Sequence, residues 1–114
     1  MARGSRQTPS GRRAASRAAD ARAKLPVNSV APAITGTTTQ GQTLTCSQGT
    51  WSNTPDAYAF QWNRNGSPIS GATANTRVLA AGDVGATLTC TVTATNLGVS
   101  AVRTSAATAT IAAA

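Results

Sequence analysis

Nine residues, Thr87 to Thr95, constrain this chain more than any others: Leu88, Cys90, Val92 and Ala94 alternate with threonine at every other position. Successive side chains of a strand point to opposite faces, so this run is a strand with one buried face and one β-branched, hydrated face. The surrounding segments keep the same period. Thr43 to Ser47 places Leu44 and Cys46 together, and Tyr58, Phe60 and Trp62 share a face across Ala59 and Gln61. Asn65-Gly66 is a hairpin signal because both residues tolerate positive φ, and Ser67 to Ser70 then forms a short return strand. Arg77 to Ala80 is another strand, with Val78 and Leu79 on opposite faces. Asn96-Leu97-Gly98 is the next turn, and Val99 to Ile111 is a last strand or a bent pair. About seven short strands result, which defines an all-β sandwich with no room for a helical layer.

The side-chain inventory narrows the chemistry. The chain has 114 residues, no histidine and only three acids, Asp20, Asp56 and Asp83. Proton transfer at neutral pH draws on histidine or on paired carboxylates with separated pKa values. A hydrolytic nucleophile needs a base beside it, and zinc needs several Cys, His or carboxylate ligands. None of these sets is available, so neither an enzyme nor a cofactor is expected. No stretch approaches the ~18 apolar residues of a membrane span.

Charge is concentrated at one end. Arg3, Arg6, Arg12, Arg13, Arg17, Arg22 and Lys24 face only Asp20 within the first 24 residues, a net +6 out of the total +7. That stretch has no Leu, Ile, Val or Phe, so it lacks the apolar run of a secretory signal, and export by that route is not expected. From Arg12 to Lys24 the Ala- and Arg-rich composition favours a short helix after Ser10, ended by Pro26. Residues 1–30 therefore read as a basic arm and linker, with Pro26 to Pro32 extended, and residues 31–114 as the domain. Fully extended, 24 residues reach about 80 Å. Guanidinium groups on such a strip suit acidic protein grooves or phosphates. With no aromatic residue interleaved, the arm has no means of stacking on bases, and nucleic acid is not the favoured partner.

Cys46, Trp62 and Cys90 follow one another in the order of the immunoglobulin signature, in which cysteines on opposite sheets are covered by a tryptophan. The wider sequence resembles the bacterial and bacteriophage Ig-like repeat family. The resemblance is carried by Gly41-Gln42-Thr43-Leu44-Thr45-Cys46, Gly49-Thr50-Trp51, Tyr58-Ala59-Phe60-Gln61-Trp62, Ile69-Ser70-Gly71-Ala72, and Asp83-Val84-Gly85 through Leu88 to Asn96. It implies an immunoglobulin-like sandwich in which Cys46 and Cys90 form a disulfide or a buried pair beside the core Trp62. Leu88 stands where antibody-type domains carry the tyrosine of the corner between two strands. Asp83 is expected to hold that corner instead, by capping its own turn. Trp51 reads either as an edge cap or as a ring presented to a ligand such as a sugar, and Arg64, Arg77, Arg103 and Asp56 as solvated charges.

Such domains occur on phage virions and bacterial surfaces, and the resemblance implies a structural role in a virion. The leading expectation is a bacteriophage capsid decoration protein, assembled in host cytoplasm and seated on the capsid surface. Its arm would meet an acidic face of the major capsid protein. Its domain would face outward, touching neighbouring virion subunits or, weakly, a host-surface glycan. The alternatives are a tail-associated Ig-like protein, an adhesin or carbohydrate-binding module, and arm-mediated binding of nucleic acid.

Overall fold

The computed structural model describes residues 25–114, which form strands joined by turns, bends and irregular segments. The cations expected to anchor the chain, Arg3, Arg6, Arg12, Arg13, Arg17, Arg22 and Lys24, and the expected helix at 12–24 lie outside the described residues. Among the described residues nine strands are formed: β1 (Asn28–Val30), β2 (Ile34–Thr35), β3 (Thr43–Cys46), β4 (Thr50–Trp51), β5 (Ala57–Arg64), β6 (Ser67–Pro68), β7 (Thr76–Val78), β8 (Leu88–Asn96) and β9 (Val99–Thr104). A single 3-10 turn, Ala81–Asp83, lies between β7 and β8. One sheet has the order β2-β3-β7, a second β6-β5-β8-β9, and β1 pairs with β4 as a separate ribbon. All strand pairs are antiparallel.

The alternation of β8 is realised residue by residue: Leu88, Cys90, Val92 and Ala94 are buried and the threonines between them are half-buried. The buried set meets Leu44 and Cys46 of β3, Trp62 of β5, Leu79 and Ile111, with Tyr58, Phe60 and Trp51 packed at the margin. The core thus draws on both larger sheets, as a β-sandwich requires. The threonine face is less hydrated than expected. Its hydroxyls bond sideways, Thr91 to Thr104 at 3.0 Å and Thr95 to Ser100 at 2.9 Å, and Asn63 Nδ2 donates to Thr89 and Thr91.

Two segments differ from expectation. Pro26 to Pro32 is not a plain linker: Asn28–Val30 forms β1, against Thr50–Trp51, so ordered structure begins before residue 31. Gly49 permits this, because its φ of +79° turns the chain and a Cβ there would lie 2.4 Å from the Val30 carbonyl oxygen. The last strand stops at Thr104, yet the chain continues along β8. Ser105 and Thr108 donate backbone N–H to the Cys90 and Leu88 carbonyls, and their hydroxyls accept the Cys90 and Leu88 N–H groups. Side-chain oxygens there replace the carbonyls of a regular ladder.

The corner before β8 is closed by a buried carboxylate. Asp83 is fully buried and accepts the Ala80 N–H at 2.9 Å, the turn cap anticipated from the sequence. It also binds two arginines, which corrects their reading as solvated charges. Arg64 Nε and Nη2 reach Oδ1 at 2.9 and 2.6 Å, and Arg77 Nη2 reaches Oδ2 at 3.0 Å. Arg64 lies on β5 and Arg77 on β7, so one carboxylate ties the two larger sheets at the turn between them. Burial pushes the Asp83 carboxyl up, but the Ala80 N–H and the Arg77 and Arg64 guanidiniums outweigh it and hold the group below the usual carboxylate range. A depressed folded pKa stabilises the fold fully above the unfolded value near ~3.9, and this contribution is lost as pH falls through the folded value. Replacing Asp83 with Ala uncaps the turn and leaves two guanidiniums unpaired, at a cost of about 3 kcal/mol. Urea denaturation at neutral pH should show that loss, and the gap between wild type and D83A should close as the pH is lowered below about 4.

Candidate functional site

The sequence singled out three core positions, one aromatic residue and an arm. The core positions come together. Trp62 and Cys90 are direct partners across β5 and β8, and Trp62 is fully buried with its indole N–H donated to the Ala74 carbonyl at 2.8 Å. Cys46 and Cys90 are 1% and 0% exposed and are thiols in this structure. The influence of each thiol on the other lowers the pKa of Cys46 against its burial, and together with burial drives that of Cys90 far upward. Cys46 Sγ also lies 3.3 Å from the Ser47 carbonyl. Both thiols are shielded from solvent within one core cluster, on β3 and β8 of the two larger sheets. Closing the loop between them is expected to stabilise the fold by about 4 kcal/mol in the chain-entropy description. Refolding under mild oxidant should yield an intramolecular bond, seen as loss of two hydrogens by mass spectrometry, and a higher urea midpoint that a reductant reverses.

Trp51 caps an edge. It sits on β4, packs against the core and donates its indole N–H to the Gln48 carbonyl at 2.7 Å, leaving only part of the ring toward solvent. Tyr58 is also partly buried against the core. Neither ring forms a flat exposed platform. Among the described residues no group of three or more His, Cys, Asp or Glu is placed to hold a metal ion. No described helix is long and apolar enough to cross a membrane.

The sequence did not foresee how the two ends of the sandwich differ. The chain enters at one end. The Leu25 carbonyl accepts the Asn53 side-chain amide at 2.8 Å, and the Val27 carbonyl accepts the Ser52 N–H at 2.9 Å. Asn53 lies in the loop before β5, and its own carbonyl accepts Asn96 Nδ2 from the end of β8 at 2.6 Å. The arm therefore joins the domain beside the β4–β5 loop and the β8–β9 turn. The chain leaves at the other end, where Ala112 bridges to Thr39 and its carbonyl accepts the Gln40 N–H. The Asn65-Gly66 hairpin and the Asp83 corner also lie there, since Arg64 pairs with Leu88 and Ile111 bonds Ala86. The nine residues of β8 separate the two ends by about 30 Å.

Charge follows the same division. Arg64 and Arg77 are committed to Asp83, so Arg103 and Asp56 are the remaining charged side chains among the described residues. Asp56 faces the arm end, where its Oδ2 lies 3.4 Å from the Leu97 N–H. The domain is close to neutral, and the arm holds nearly all the positive charge. Comparisons with protein-family models, curated proteins and solved structures returned no match to this chain.

Proposed function

We propose that the chain is a non-enzymatic virion structural protein, a bacteriophage capsid decoration protein with an immunoglobulin-like domain. The strand order favours the finer fold reading. A β2-β3-β7 sheet opposite a β6-β5-β8-β9 sheet matches the two-sheet arrangement of that fold, with Cys46 and Cys90 on opposite sheets and Trp62 beside them. The observation that carries the function is the segregation of charge together with its placement. A net +6 strip joins a nearly neutral sandwich at one end, and the rest of the chain runs to the opposite end.

In this arrangement Arg3, Arg6, Arg12, Arg13, Arg17, Arg22 and Lys24 pair with an acidic face of the major capsid protein. Arginine forks bind carboxylates in two-point contacts. The sandwich stands away from the shell, where it meets neighbouring virion subunits. Its core of two thiols, one tryptophan and a few aliphatic residues serves rigidity rather than chemistry.

Two measurements test this. Protein lacking residues 1–24 should keep the thermal midpoint of the full chain, because the core and the Asp83 network are built from later residues, and should no longer coat capsid shells. Coating by the full chain should weaken steeply with added salt, as ion pairing at a surface requires. Undiminished coating by the truncated protein would sink the anchoring role.

A further inference from the structure

We infer that the arm-side end of the sandwich is itself a docking surface, completing with an apolar contact the interface that the arm begins. The inference rests on the decoration reading and identifies which part of the domain meets the shell.

Four residues with positive φ other than glycine occur in the described chain: Asn53 at 63°, Thr54 at 43°, Asn65 at 49° and Leu97 at 51°. Asn65 is an ordinary hairpin residue. The other three converge on one open cleft of about 400 Å³, lined by Asn53, Thr54, Asn96 and Leu97. Left-handed backbone is unfavourable for a β-branched Thr and for a bulky Leu. Asn or Gly would relieve it at position 97, where a two-residue hairpin turn calls for that conformation. The chain instead holds a leucine there, 69% exposed at the tip. The turn is braced by the Asn96–Asn53 and Asp56–Leu97 hydrogen bonds, so the leucine is presented on a fixed support. Val27, 57% exposed, stands on the same end beside Ser52.

What covers this end follows from where the chain enters. Twenty-four residues precede Leu25, and Leu25 is hydrogen-bonded to Asn53, a lining residue of the cleft. Any surface that grips those residues close to their junction lies against the cleft. The arm itself offers no Leu, Ile, Val or Phe to cover Leu97. The fitting occupant is a protein surface with carboxylates for the arm and, next to them, a small apolar recess for Leu97. The neutral amides and hydroxyl of the cleft then accept an uncharged polar loop. Anchoring has two parts, one ionic and screened by salt, the other apolar and insensitive to it.

The test uses the full chain and shells assembled from the phage's major capsid protein. Leu97→Asn suits the turn and should match or exceed the wild-type thermal midpoint. Its affinity for shells should fall about ten- to hundred-fold, the worth of one buried leucine. That ratio should be the same at about 0.1 M and about 0.5 M NaCl, whereas wild-type affinity itself falls with salt. Hydrogen exchange at residues 52–56 and 96–98 should slow on shell binding. If the wild type binds through its arm but L97N binds equally well, the docking surface is wrong and decoration stands. If the wild type does not bind shells, both fall. Slow exchange at these loops in the free protein that is lost with residues 1–24 would make the arm the occupant. Slow exchange that depends on protein concentration would make a second copy the occupant. Either would overturn the inference.

Discussion

A carboxylate with no solvent contact connects the parts of this fold that its small core does not. Asp83 accepts hydrogen bonds from the turn that carries it, from Arg64 on one sheet and from Arg77 on the other. Buried charge is tolerated only when its partners are well placed, and here every polar atom of the group is engaged. The network sits where β7 crosses to β8, the point at which the chain changes sheets. It closes the corner before β8, while Leu88 beside it packs in the core. With only Tyr58, Phe60, Trp51 and Trp62 as large rings, the domain relies on such polar joints more than an aromatic-rich sandwich does.

Much of this was legible in the sequence because it is local. Alternation over β3, β5 and β8 identifies both the strands and their buried faces, since the period of two is a property of the backbone. The turns at Asn65-Gly66 and Asn96-Leu97-Gly98 follow from the need for positive φ. The features that escaped notice are non-local. Arg64 and Arg77 resemble surface charges until folding brings them to a carboxylate 19 and 6 residues away. Strand β1 has no pattern of its own and exists because β4 pairs with it. The edge beyond Thr104 escapes a strand template because hydroxyls stand in for carbonyls along it.

The same division holds for function. The cationic arm is visible as composition, and the scarcity of proton carriers is a count. The location of the arm's junction is a matter of tertiary structure, since it depends on Leu25 meeting Asn53 across 28 residues. That one contact fixes the end of the sandwich at which the charged segment joins it.

The opposite placement of Leu25 and Ala112 has a practical corollary. A domain whose ends lie side by side returns to its starting point, whereas this one advances by its own length. Whatever is joined beyond Ala112, by nature or by a cloning step, is carried to the end remote from Leu25. The sandwich is in that sense a spacer, and its stiffness sets the stand-off distance at which a passenger would be displayed.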